Sequence, residues 1–239
     1  MGVRSMVFSP RVKKPTRKAA MILATNRETA EMARRIGAQR VEFLPDTALL
    51  PEVVPQGPPS RSPSKRPRIL WVGKDFPWKG LPLAIASVRE LQHDMDVELL
   101  VAGAEPVAGA TNVTWLGTLP FNEMPDLYRS ADVFLFTSLR ESMGSQIIEA
   151  AAQGLPIVAL DLHGVSTFVP DDASIKVPLS GPEETIRALS RGLGIVLSDE
   201  KRRVAMSKAA WRFGQSHTLA ARAAYINAVY ASVSIRSPS

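Results

Sequence analysis

The chain has 239 residues, 45% of them hydrophobic and 22% charged, with a formal net charge of +6 and no cysteine. That apolar content suffices for a buried core and excludes global disorder, while zero cysteines exclude disulfides, thiolate–zinc sites and a cysteine nucleophile and fit a reducing, cytoplasmic compartment. Three scattered histidines make no metal site, and no apolar run approaches the roughly 20 residues that span a bilayer or serves as a secretory-signal core.

The charge is uneven. Residues 1–68 carry 14 Lys/Arg against 5 Asp/Glu, and residues 69–239 carry 15 against 18. The basic front, including Arg11, Lys13, Lys14, Arg17 and Lys18, suits either an anionic surface or a solvated arm. Only Phe8 and Phe43 are aromatic there, too few to stack successive bases, so nucleic acid is not expected as a partner.

Residues 1–18 show no clear periodicity. Residues 19–24 and 40–44 read as short strands around a helix that starts after Thr25, with Thr25 and Glu28 at capping-box spacing, and that Gly37 stops. Residues 51–68 hold six prolines. Proline removes donors and fixes φ, so this stretch reads as a linker. From residue 69 onward short apolar strands alternate with helices. Strands are expected at 69–73, 97–102, 113–116, 132–136, 156–160 and 174–177. Helices are expected at 81–91, 122–130, 144–153, 182–196, 199–213 and 218–232. This pattern predicts an α/β fold, a Rossmann-like parallel sheet covered by helices on both faces. G-x-x-x-x-G-K-[ST], G-x-G-x-x-G and G-x-S-x-G are all missing, which argues against a P-loop NTPase, a dinucleotide fold and an α/β hydrolase.

Two constellations carry chemistry. In Val72-Gly-Lys-Asp-Phe-Pro-Trp-Lys-Gly80, Lys74 and Lys79 sit on a loop leaving a strand. Two ammonium groups at a strand-end crevice suit a diphosphate, although two solvated loop lysines would space the same way. In Glu141-Ser-Met-Gly-Ser-Gln-Ile-Ile-Glu149, a glycine turn opens a helix, whose N-terminal N–H groups suit an anion. Glu149 stands among apolar neighbours. A carboxylate there needs a hydrogen-bond partner, met by ligand hydroxyls or by a structural ion pair.

These stretches resemble a known family. Val72-Gly-Lys and Lys79-Gly80 look like its V-G-R-x-x-x-x-K-G. The segment from Phe136 to Ala159 looks like its P-S-x-x-E-G-F-G-x-x-x-x-E-A-x-A-x-G-x-P-V-V-A. Together they are similar to the carboxy-terminal, nucleotide-sugar-binding half of retaining GT-B glycosyltransferases of the group 1, family-four type, over about Ile69 to Tyr230. The resemblance implies that Lys74 and Lys79 bind and stabilise the donor diphosphate and that the Met143-Gly144-Ser145 backbone cradles the distal phosphate. Glu141 would hold hydroxyls of the transferred sugar, Glu149 the ribose hydroxyls, and Gly117, Thr118 and Leu119 the base. It implies no metal and no further cofactor, the donor being the substrate. Lys74 stands where the family often has arginine, Ser142 and Met143 replace its Gly-Phe, and Ser166 stands near a position where relatives often have glutamate.

The resemblance also divides the chain. Residues 1–50 would be a basic arm and a remnant of the amino-terminal acceptor half, 51–68 a linker, 69–214 the nucleotide-sugar domain, and 215–239 a closing helix and tail. The implied function is the donor-binding part of a hexosyltransferase acting on a polysaccharide, lipid or other glycan acceptor, with peripheral membrane contact and a separate acceptor-domain subunit as further partners. The alternative is a non-catalytic or half-enzyme subunit. A GT-B epimerase or phosphorylase ranks below both.

Overall fold

A computed structural model describes residues 9–44, 46–47 and 66–234. Most of the proline-rich stretch (51–65) and the tail after 234 lie outside the described residues. Six strands form one parallel sheet: β3 (Arg68–Val72), β4 (Glu98–Ala102), β5 (Val113–Gly117), β6 (Val133–Phe136), β7 (Ile157–Leu160) and β8 (Ser174–Val177). Their spatial order is β5-β4-β3-β6-β7-β8. A separate two-stranded parallel sheet pairs β1 (Ile22–Ala24) with β2 (Val41–Phe43).

The strands read as continuous apolar runs because both faces of the sheet are buried. Alternate side chains enter different cores. Leu70, Phe134, Phe136, Ile157 and Ala159 join one cluster with α4 (Met124–Ser130), α5 (Ser145–Ala152) and α8 (Glu200–Gln215). Ile69, Trp71, Val133, Leu135, Val158 and Leu160 join the other, with α3 (Leu81–Leu91) and α7 (Pro182–Ser198). Burying each large apolar side chain fully contributes about 1.5–3 kcal/mol, so this two-sided alternation dominates the stability of the domain.

The front of the chain departs from expectation. Residues Pro10–Lys18 form a helix, α1, with Pro15 inside it. Pro10 occupies the first turn, where a missing N–H costs nothing. Arg17 then ties α1 to α2 (Arg27–Ile36): its Nε donates to the Ile36 carbonyl at 2.9 Å, a cation at a helix C-terminus. The start of α2 is also corrected. Asn26, not Thr25, caps it, its Oδ1 accepting from the Thr29 N–H at 2.8 Å. Gly37 ends it at φ +105°, as its sequence position predicts. A helix missed in the sequence, α6 (His163–Phe168), packs against α2. Its Phe168 meets Phe43 edge-on, ring centroids 5.7 Å apart.

The last helix, α9 (Leu219–Ser234), returns to the first segment of the chain. The Tyr225 hydroxyl donates to Glu42 at 2.9 Å, and the Thr47 hydroxyl donates to the His217 carbonyl at 2.5 Å. Burial holds the His217 ring below the usual histidine range, opposed by its hydrogen bond with the Phe213 carbonyl. The fold therefore favours the neutral ring. Its contribution is complete above about pH 6.5 and is lost as pH falls through the lowered folded value. Urea midpoints should fall below pH 6.5, and His217→Gln should flatten that slope.

Candidate functional site

The order of the sheet reverses at its centre. From β3 the chain runs outward to β4 and β5, then crosses back to β6 on the other side. Such a switch point leaves a crevice at the carboxyl ends of two neighbouring strands. Here the loops that bound it are 73–80 after β3 and 137–144 after β6.

The two loops are locked to one another. A short 3₁₀ turn, Pro77–Lys79, ends in Gly80 at φ +71°, and a Cβ at Gly80 would lie 2.3 Å from the Thr137 carbonyl oxygen. Only glycine allows that approach. The Thr137 hydroxyl accepts from the Trp71 indole N–H at 3.1 Å and donates to the Gly80 carbonyl at 2.9 Å. The Leu139 N–H donates to the Trp78 carbonyl at 2.7 Å. Across this junction Lys79 Nζ and Glu141 Oε1 form an ion pair, their side chains 12% and 23% exposed.

Helix α5 opens directly below the pair. Gly144 precedes it at φ +90° with no side-chain cap, so the first N–H groups of α5 are left to solvent or a ligand. These groups face a cleft of about 320 Å³, whose lining includes Lys79, Glu141, Gly144, Ser145, Asp46 and Arg222. Two cations, two carboxylates and a helix N-terminus there give a site that can exchange the Lys79–Glu141 ion pair for contacts with an anionic ligand.

The predicted residues are thus partly assembled. Lys79, Glu141, Gly144 and Ser145 share the cleft. The Met143 side chain is fully buried in the core, which leaves only its backbone for a ligand. Lys74 lies on the same loop, exposed and outside the lining of the cleft. Gly117 ends β5 and Thr118 and Leu119 follow it, two strands and so roughly 10 Å from β3. Gly117 has φ +61° and open space where a Cβ would sit. Ser166, at the variant position, donates to Asp161 Oδ1 at 2.5 Å.

Glu149 lies in α5 outside the lining of the cleft, buried and 6% exposed, and its Oε2 accepts from the Tyr128 hydroxyl at 2.9 Å. Burial, and then the neighbouring Glu149 charge, push the Tyr128 phenol well above its ordinary range, so it stays a donor. Tyr128→Phe should destabilise the chain by about 1–3 kcal/mol, because a buried carboxylate loses a donor. Urea denaturation of the two proteins compares them directly.

Sequence reasoning missed Asp46, Thr47, Gln146 and Arg222, all of which line the cleft. Gln146 lies between Glu141 and Glu149 in the first turn of α5, where a polar residue before two isoleucines was a detectable signal. The other three come from distant segments, and no local pattern marks them.

Comparison with solved structures gives the class. Sucrose-phosphate synthase from Thermosynechococcus elongatus superposes with a TM-score of 0.74 at 20% identity, over 94% of this chain and 61% of that one. Anabaena HepE in complex with UDP-glucose superposes at 0.71 with 17% identity, over 91% of this chain and 65% of that one. The fold is that of the GT-B glycosyltransferases. A family match described as Glycosyl transferases group 1 covers residues 56–213, and the chain belongs to that family. Among relatives, the GPI3 subunit of phosphatidylinositol N-acetylglucosaminyltransferase from Saccharomyces cerevisiae is 23% identical over 191 residues, 73% of this chain and 42% of its own length. A D-inositol 3-phosphate glycosyltransferase from Kineococcus radiotolerans is 34% identical over 134 residues, 54% of this chain and 28% of its own length. The chain therefore spans about two fifths, or less, of these two curated relatives.

Proposed function

We propose that this chain is the donor-binding part of a retaining glycosyltransferase that uses a nucleotide-diphospho-sugar. The observation that carries the reading is the cleft at the β3–β6 switch point, where Lys79, Glu141 and the open N-terminus of α5 converge. Lys79 and the Gly144–Ser145 backbone hold the diphosphate, and Lys74 adds charge from the rim. Glu141, released from Lys79 as the diphosphate takes that cation, holds hydroxyls of the transferred sugar. Glu149 binds the ribose hydroxyls, and the base extends toward Gly117, Thr118 and Leu119. In the transfer step the bond between the anomeric carbon and the β-phosphate oxygen breaks. The acceptor oxygen bonds to that carbon on the same face, and its proton passes to the leaving phosphate. The lysine charge and the helix N–H groups stabilise the developing diphosphate, so the reading needs no metal.

The acceptor in this reading is a glycan, polysaccharide or lipid. No helix among the described residues is long and apolar enough to cross a membrane. Exposed Arg11, Lys14 and Lys18 on α1 suit peripheral contact with an anionic surface at the cytoplasmic face. The second reading, one subunit of a larger assembly, is favoured by the yeast relative being named a subunit and by a GtfA/B complex among the structural neighbours.

The test is calorimetric titration of the full chain with UDP-, GDP- and ADP-sugars. UDP comes first because HepE was solved with UDP-glucose and GtfA with UDP and GlcNAc. Saturable binding of one nucleotide, weakened by Glu149→Ala, is expected. A folded chain that binds none of them overturns the donor reading. Binding without transfer to any acceptor, cured by a second subunit, selects the assembly reading.

A further inference from the structure

The cleft has a wall that the donor residues do not supply. Asp46 and Thr47, from the segment after β2, and Arg222, from the first turn of α9, line it together with the N-terminus of α5. That wall is held in place. The Thr47 hydroxyl donates to the His217 carbonyl, and the Thr218 hydroxyl caps α9 by accepting from the Ala221 N–H at 3.2 Å. The Ser142 hydroxyl, next to Glu141, donates to Asp46 at 3.3 Å. The backbone of Arg222 is fixed in turn, its amide N–H donating to the Thr218 carbonyl at 3.0 Å. Asp46, Thr47 and Arg222 also border a smaller, mostly apolar cavity of about 170 Å³ on the far side.

The charges differ in their commitments. Lys79 is paired with Glu141, and Asp46 accepts from Ser142. Among the described residues the Arg222 guanidinium has no ion pair within 4 Å. Arg222 lines this polar cleft from an anchored helix turn, and a planar guanidinium suits a phosphate group, to two of whose oxygens it can donate parallel hydrogen bonds.

We propose that Arg222 is an anion-binding residue of this cleft, holding a phosphate oxygen either of the donor diphosphate or of a phosphorylated acceptor. This rests on the donor reading and extends it to the other end of the chain. It makes the α9 strap part of the binding site as well as a clamp on the first segment.

The experiment titrates the full chain and its Arg222→Gln and Arg222→Lys variants, each first shown to keep the wild-type melting temperature, with UDP, uridine and inorganic phosphate. If Arg222 serves the donor, Arg222→Gln weakens UDP about tenfold or more, Arg222→Lys weakens it less, and uridine is unchanged. If it serves an acceptor phosphate, UDP affinity is unchanged, and inorganic phosphate binding to the UDP-saturated chain is lost in Arg222→Gln. Unchanged UDP and phosphate binding in both variants overturns the proposal while leaving the donor reading intact. A wild-type chain that binds no UDP overturns the donor reading instead. Inorganic pyrophosphate then decides Arg222 by itself: weakening in Arg222→Gln upholds the anion site, and no change overturns it.

Discussion

Lys79→Ala is expected to weaken nucleotide-sugar binding on the order of a hundredfold. Lys79 supplies a charge-assisted contact to the diphosphate, and such contacts contribute about 1.5–3 kcal/mol each, or roughly 10- to 150-fold in affinity. The loss should lie at the upper end, because alanine also leaves Glu141 uncompensated where the phosphates must sit. Lys79→Arg should recover much of the affinity, since charge is kept. The melting temperature should fall as well, because the pair is largely buried, 12% and 23% exposed, and alanine leaves the Glu141 carboxylate without its cation. Calorimetry with the nucleotide sugar that the wild type binds reads the effect. Wild-type affinity in Lys79→Ala would remove this residue from the donor site.

Gly164→Ala should combine a large stability loss with loss of binding. Gly164 lies in α6, and a Cβ there would meet the Ser142 carbonyl oxygen at 2.3 Å and Met143 Cα at 2.6 Å. Both are backbone or backbone-anchored atoms, so relief requires moving the loop that carries Glu141 and Gly144. Overpacking of this kind costs about 1–3 kcal/mol, which for a chain of this size lowers the melting temperature by roughly 3–10 °C. Gly214→Ala provides the contrast. Its Cβ would meet the Ala152 backbone nitrogen at 2.3 Å, at the far end of α5 from the cleft. It should cost comparable stability while leaving nucleotide affinity within a few-fold of wild type. Equal affinities for wild type and Gly164→Ala would show that α6 does not shape the site.

The sheet was legible in the sequence because burial on both faces leaves strands apolar at every position, as in Ile69-Leu-Trp-Val72 or Val133-Phe-Leu-Phe136. Glycine stops at Gly37 and Gly154 bounded helices by the left-handed geometry that only glycine adopts readily. Helix α1 was hidden because its stability comes from Arg17 reaching α2, a tertiary contact with no periodicity of its own. Helix α6 has six residues and begins at His163 with φ +50°, which no propensity anticipates. Of the residues lining the cleft, Lys79 and Glu141 were legible because each lies in a short local motif. The Tyr128 partner of Glu149 and the wall of Asp46, Thr47 and Arg222 were not. Their separation along the chain is bridged only by the crossing of β6 and the return of α9.

The direct pairing of β3 with β6 (Ile69 with Val133, Leu70 with Phe134) sets a ruler for the cleft. The reach from each strand end to Lys79 or Glu141 is then a matter of chain length rather than composition. One inserted residue adds up to about 3.3–3.6 Å of contour, more than the whole tolerance of a hydrogen bond. Loops 73–80 and 137–144 should therefore accept exchanges at exposed Asp75 or Arg140 yet reject single-residue insertions or deletions. In engineering terms, these segments can be recoded at exposed positions such as Asp75 and Arg140, but their length is a fixed dimension of the molecule.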